Sequence, residues 1–229
     1  MYNDIDVVVC TTAVTRGDFH KNIFEKYVQF LEGYNILWYI NIDTLNIENI
    51  ESIDYTLELI RSICTRDNLV LDITYKEGGT REAFHKSVQD LTCKAVKQTP
   101  KIGFLWLEDD WGLFKETTLK DVITSIQSFG ISDYLQLARR VDRGKEISFN
   151  PGLWGPRLFF DVLYEKSQKP FPGPRSIIEK LCIEPIKVTT SKIHNYHKIE
   201  CFEDKGRKWS SSLDLYRTFQ FEIKPKWKI

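Results

Sequence analysis

Four short apolar runs, alternating with stretches of helical spacing, fill the first half of the chain and constrain its fold more than any other feature. Residues 5–11, Ile36–Ile40, Leu69–Ile73 and Ile102–Leu107 are rich in branched and aromatic side chains and read as strands. After the first of them, Phe19, Ile23, Phe24, Tyr27, Phe30 and Leu31 recur every three or four positions over Asp18–Leu31, and Gly33 closes the segment as a helix end. Helices are expected again over Ile50–Cys64 and Thr80–Val96. Strand-then-helix units with short connections imply neighbouring parallel strands covered on both faces, so the expected class is doubly wound α/β. Ligands of such sheets bind outside the carboxyl ends of the strands. The loops beginning near Thr11, Asn41, Thr74 and Glu108 are therefore expected to converge on one crevice.

Beyond Gly112 the alternation fades. A helix is expected near Leu119–Phe129 and a strand at Tyr134–Ala138. Pro151, Pro156, Pro170, Pro172 and Pro174 then exclude one long helix or a central strand, and this half reads as loops and short elements packed on the sheet. No internal repeat, low-complexity tract or Ser/Gly linker interrupts the chain, so all 229 residues read as a single domain, with a ligand-binding half to about residue 112 and a more variable half over 113–229.

With 42% hydrophobic and 28% charged residues the composition is that of a globular body, not a disordered chain. Lys plus Arg and Asp plus Glu both number 32, and zero net charge argues against a nucleic-acid partner. The charge is nevertheless uneven. Residues 1–60 carry ten acids against three bases, whereas 205–229 carry seven bases against two acids. The C-terminal end is thus the natural place to neutralise an anion or touch a membrane surface; a solvated basic tail is the plain alternative. Cys10, Cys64, Cys93, Cys182 and Cys201 form no C-x-x-C pair and read as reduced core residues. Acidic Asp4 and Asp6 stand where a signal peptide needs positive charge, and no apolar run is long enough to span a bilayer, so no transmembrane segment and a cytoplasmic location are expected.

The sharpest chemical feature is the end of the fourth strand, where Glu108, Asp109 and Asp110 follow one another between Trp106 and Trp111. Three adjacent negative charges repel unless a cation or several hydrogen-bond donors sit among them. A divalent metal is one relief, since magnesium or manganese held by one or two carboxylates keeps positions open for phosphate oxygens. A solvated acidic turn is the bland alternative, made less apt by the two flanking indoles.

An acidic triplet after the fourth strand of such a series resembles the D-x-D or E-D-D metal site of GT-A fold glycosyltransferases. The resemblance implies a Rossmann-like sheet, a nucleotide diphosphate sugar as donor (UDP- or GDP-linked), Mn2+ or Mg2+ as cofactor, and a glycan or other hydroxyl acceptor. It implies that Asp110 binds the metal, while Glu108 and Asp109 contact ribose or sugar hydroxyls or act through water. Thr11, Thr12 and Arg16, at the end of the first strand, are then placed beside the nucleotide; Thr15 reads equally as a helix cap. Asp43, ending the second strand, is suited to accept from a uracil or guanine N–H, or to cap a helix. Arg81 follows Gly78 and Gly79 at a helix start, a place suited to an anion, although a surface role fits it as well.

Further along, Asn150-Pro151-Gly152-Leu153-Trp154 is similar to an acceptor-side segment, with Trp154 offering a flat face to a sugar. Asp204-Lys205-Gly206-Arg207-Lys208-Trp209 gives a D-x-G-R-x-W pattern in which Arg207 would neutralise the leaving diphosphate. His197, or His194, would supply a second metal ligand. The implied reaction is metal-dependent sugar transfer with inversion, for which a carboxylate must deprotonate the acceptor. Glu179 is the candidate base, with Glu184 and Asp142 as rivals. A nucleotidyltransferase on the same kind of sheet and a non-catalytic nucleotide-sugar-binding module remain the alternatives.

Overall fold

The computed structural model describes residues 4–44, 52–77, 81–139, 146–147, 150–168, 186–187, 193–206, 215–218 and 222–225. In chain order the elements are β1 (Val7–Val14), α1 (Asp18–Phe30), β2 (Ile36–Thr44), α2 (Ile53–Ile63), β3 (Leu69–Glu77), α3 (Arg81–Ala95), β4 (Gly103–Glu108), β5 (Trp111–Leu113), α4 (Leu119–Ser125), β6 (Tyr134–Ala138), β7 (Glu146–Ile147) and β8 (Gly152–Trp154). A helical segment follows, with α-turns at Pro156–Leu158 and Glu165–Ser167 on either side of π-helical Phe159–Tyr164. The last strands are β9 (Ile186–Lys187), β10 (Tyr196–Asp204), β11 (Leu215–Thr218) and β12 (Glu222–Pro225).

Eight strands form one sheet in the order β3-β2-β1-β4-β8-β6-β10-β5, with β1 to β4 mutually parallel. β8 runs antiparallel between β4 and β6, and β5 runs antiparallel on the far edge against β10. The strand period of two divides the core cleanly. Val7 and Val9, Trp38 and Ile40, and Leu105 and Leu107 point to the face covered by α1, α2 and α4. Val8 and Cys10, Leu37 and Tyr39, and Phe104 and Trp106 point to the face covered by α3 and the 156–167 segment. This two-sided burial is why the strands read as continuous apolar runs.

Several boundaries differ from the sequence expectation. β1, β2 and β3 each continue past their apolar runs, to Val14, Thr44 and Glu77, because the ladder holds their polar residues in register: Thr11 opposite Ile40, Thr12 opposite Asn41, Asn41 opposite Thr74. The carboxyl ends of these strands, where a crevice is expected, therefore lie at Val14, Thr44, Glu77 and Glu108. α4 stops at Ser125, short of Phe129; Gln127 takes a left-handed φ of 63° that ends the helix. The second half does more than pack on the sheet, since β6, β8 and β10 insert between β4 and β5. Cys10, Cys64 and Cys201 are buried free thiols, and burial pushes the Cys64 and Cys201 thiols up to about 12. Cys93 is free and half-buried, and Cys182 lies outside the described residues. No helix among the described residues is long and apolar enough to cross a membrane.

Candidate functional site

Parallel pairing of β1 with β4 sets Thr12 opposite Glu108, so the acidic turn after β4 meets the loop after β1. The ladder is extended by one bond, the Asp109 N–H donating to the Thr12 carbonyl at 3.3 Å. Both aspartates point inward and are almost wholly buried, with 3% and 2% of Asp109 and Asp110 exposed, so they cannot rely on water to carry their charge. Glu108 is half-buried at the same strand end.

The counter-charge comes from the chain itself. Arg16 places Nε 3.1 Å from Asp109 Oδ2, an ion pair without hydrogen-bond alignment, and donates from Nη2 to Asp110 Oδ2 at 3.4 Å. The Val14 N–H donates to the same Asp109 oxygen at 2.9 Å, and His20 Nε2 lies 2.9 Å from it. A carboxylate oxygen only accepts, so Nε2 carries the proton there. Burial is the largest influence on Asp109 and pushes its carboxyl up. The Arg16 charge, the His20 hydrogen bond and charge, and the Val14 amide together outweigh it and hold the group below the ordinary carboxylate range.

Two further contacts shape the turn. Tyr27, fully buried on α1, shares its hydroxyl between the carbonyls of Glu108 and Trp111, 2.7 Å from the latter. Burial, and then the carboxylates of Asp110, Asp109 and Glu108, push its phenol well above its ordinary value, with Arg16 pulling the other way. On the other flank the N–H groups of Lys205 and Gly206 donate to the Asp110 carbonyl at 2.7 and 3.1 Å. Antiparallel pairing of Asp204 with Trp111 brings them there. Lys205 and Gly206, where the basic C-terminal stretch of the sequence begins, thus abut the acidic turn.

The other candidate residues divide. Thr11 faces the core, its hydroxyl accepting from Trp38 Nε1 at 2.9 Å, and is not at the mouth. Asp43 is 5% exposed, and its Oδ1 accepts from Asn41 Nδ2 at 2.9 Å and Ser87 Oγ at 2.8 Å. Burial raises its carboxyl, against the lowering effects of Ser87, Lys76 and Asn41. Trp154 is 1% exposed, edge-on to Tyr134 at 5.0 Å, so its ring presents no face to a sugar. His197 stands near the start of β10, seven residues before Asp204, or roughly 23 Å at the strand rise. It faces Asp133 at 3.8 Å, and the strand direction carries it away from Asp110. Arg81 opens α3, its side chain outside the described residues; Arg207, Glu179, Glu184 and Asp142 also lie outside them.

Among the described residues no three His, Cys, Asp or Glu side chains gather as a metal cage. Asp109 Oδ2, with two hydrogen-bond donors and the Arg16 ion pair, is occupied within the protein. A hard cation at the strand end would draw instead on Asp110 and Glu108 and on oxygens of a bound ligand, a set that fits magnesium or manganese. Arg16 brings positive charge to Asp109, and the Val14 amide and the His20 ring each bring a hydrogen-bond donor. His20 and Tyr27 were not singled out, although both lie on the apolar stripe of α1 with Phe24 and Ile23, where a polar side chain signals a buried partner.

No protein-family model matches the sequence, and no curated protein matches it. Solved structures do match in fold. S. aureus TarS 1-349 in complex with UDP-GlcNAc aligns with a TM-score of 0.51 at 14% identity, covering 87% of this chain and 58% of that one. The same fragment with UDP gives 0.53 at 13% identity over 90% of this chain and 63% of that one. The chain thus spans less than two thirds of the TarS chains it matches. These likenesses establish the α/β fold, which this chain shares with the TarS structures.

Proposed function

We propose that the chain transfers a sugar from a nucleoside diphosphate sugar to a hydroxyl acceptor. The observation that carries this reading is the acidic turn after β4, buried between the end of β1 and the Lys205–Gly206 backbone. That turn lies in a fold shared with a protein solved with UDP-GlcNAc and with UDP. Asp110 and Glu108 would hold Mn2+ or Mg2+, which would offset the charge that grows on a departing diphosphate. Arg16 fixes Asp110 from the protein side, the Lys205 and Gly206 amides hold its carbonyl, and Arg207 is proposed to meet the phosphates. Thr12 and Arg81 are proposed neighbours of the donor.

Asp43, buried yet at the crevice end of β2, is proposed to read the nucleobase through its second carboxylate oxygen, with Asn41 and Ser87 fixing the first. An inverting course with Glu179 as base completes the reading. The test is a thermal-shift series with UDP, GDP and UDP-sugars, with and without manganese, because a ligand of the folded state raises Tm by mass action. The expected outcome is a manganese-dependent rise with UDP or GDP that Asp110→Asn abolishes. Equal shifts with and without the metal, or shifts that survive the substitution, refute the site.

A further inference from the structure

Lys76 carries a buried ammonium that no hydrogen bond satisfies. It stands near the end of β3 opposite Asp43 of β2, and both side chains turn to the α3 face: Asp43 bonds to Ser87, and Lys76 reaches to 3.6 Å from Asp90. That ion pair is too long for a hydrogen bond, and Lys76 Nζ is buried with no hydrogen-bond partner among the described residues. Asp90 does not depend on it, since Lys86 on the same helix sits 2.8 Å from its other oxygen. Among the described residues Lys76 and Asp43 make no direct ion pair, although each charge is felt by the other. Burial lowers the Lys76 ammonium from its ordinary value and raises the Asp43 carboxyl, so both lack the solvation that a bonded partner would supply.

Asp43 has one oxygen committed. Its Oδ1 receives Asn41 Nδ2 at 2.9 Å and Ser87 Oγ at 2.8 Å. Ser87 Oγ also lies 2.9 Å from the Ala83 carbonyl, but the charged oxygen is the stronger acceptor. Thr74 donates to the Asn41 side-chain oxygen at 3.2 Å, which fixes that amide with its N–H groups toward Asp43 and Ser87. Two donors use both lone pairs of Oδ1, so Oδ2 is the oxygen left to take a guest's N–H.

From this juxtaposition we infer that Lys76 selects the base of the donor, by donating to the base carbonyl farthest from the ribose while Asp43 accepts the neighbouring ring N–H. The pair takes uracil and rejects cytosine and guanine. The inference rests on the proposed donor reading, in which the diphosphate sits at the turn after β4. Crossing the sheet from β4 through β1 to β2 and β3 then runs from phosphate toward base, and strands about 4.8 Å apart set Asp43 nearer the ribose and Lys76 beyond it. Counted outward from the ribose, uracil offers its ring N–H and then its distal carbonyl. Cytosine offers a bare ring nitrogen and then an amine, which sets lone pair against carboxylate and N–H against ammonium. Guanine matches at both points, but its extra amine needs a second acceptor beside Oδ2. Oδ1 has no lone pair left for it, and a buried donor without a partner is costly. The Lys76 stem is 26% exposed, so its head can turn to a guest without moving a strand.

Isothermal titration of the full chain with UDP, CDP and GDP in the presence of Mn2+ tests the inference. The wild type is expected to bind UDP about tenfold or more tighter than CDP and GDP. Lys76→Met, which keeps the stem and removes the donor, should lose about tenfold for UDP and bring UDP and CDP close together. Lys76→Gln restores a donor and should recover part of the preference, a rescue that a merely structural lysine would not show. Asp90→Asn removes the ion pair with α3 and should keep the wild-type preference. Melting temperatures without ligand separate lost folding from lost binding. A wild type that binds UDP no better than CDP or GDP, or a folded Lys76→Met with the wild-type preference, overturns the inference and leaves the donor reading standing. A wild type that binds none of the three overturns both.

Discussion

Gly206 touches Asp110 so closely that a single methyl group should report on the whole turn. A β-carbon at position 206 would stand 2.3 Å from Asp110 Oδ2, 2.7 Å from its Cβ and 2.8 Å from its Cγ, inside the 3.0 Å that real β-carbons essentially never breach. Asp110 cannot step aside cheaply. It is 2% exposed, Arg16 holds its carboxylate, and the amides of residues 205 and 206 hold its carbonyl. Overpacking at so constrained a place costs about 1–3 kcal/mol, and a stiffer unfolded chain returns about 0.4–1 kcal/mol, so Gly206→Ala should destabilise by about 1–2 kcal/mol. Gly112→Ala is the matched control. Its β-carbon would meet Lys205 Cγ at 2.9 Å and Cε at 3.0 Å, but these belong to a flexible stem with 37% of its side chain exposed. The control should cost less than about 1 kcal/mol. Urea unfolding midpoints at fixed m-value measure both, and the thermal shift with UDP and manganese should vanish in Gly206→Ala and persist in Gly112→Ala. Equal midpoints for the two variants, or an intact ligand shift in Gly206→Ala, would refute the idea that this glycine seats Asp110.

The carboxyl of Asp109 is held low in the folded state, so its contribution to stability is present above the unfolded carboxylate pKa, about 4, and is lost as pH falls through the lower folded value. Asp109→Asn should therefore lower stability at neutral pH and flatten the acid limb of urea midpoint against pH; a limb as steep as the wild type's would show that the Arg16 and His20 contacts do not depend on the charge. Trp154 is core, stacked edge-on against Tyr134 and close to Phe159, and Trp154→Phe should lower the unfolding free energy by about 1–3 kcal/mol, whereas an unchanged midpoint would return the ring to the surface.

How much of this was legible in the sequence follows from where each signal is stored. β1 to β4 and α1 to α3 were visible because each is buried by its own periodicity: two-sided apolar strands, and helices whose stripe repeats at three and four. Their ends were misplaced where polar residues such as Thr12, Asn41 and Asp43 stay in the ladder, satisfied by partners from other elements, as when Ser87 on α3 reaches Asp43. β10 was missed for the related reason that its first half is only partly buried, and Tyr196, His197, Lys198 and Glu200 read as loop, with Cys201 and Phe202 alone carrying the core signal.

The acidic turn shows the limit most sharply. Local chemistry states that Glu108, Asp109 and Asp110 cannot stand together without a cation or several hydrogen-bond donors among them, and that statement holds whatever the fold. It does not say whether the charge arrives from solvent or from the chain. Here part of it comes from Arg16, 94 residues from Asp110 in sequence, delivered by the parallel pairing of β1 with β4. Once that pairing is known, the residues to question change: Asp109 becomes the inner partner of Arg16 and His20, and Asp110, the one seated against Gly206, becomes the carboxylate proposed to serve the donor.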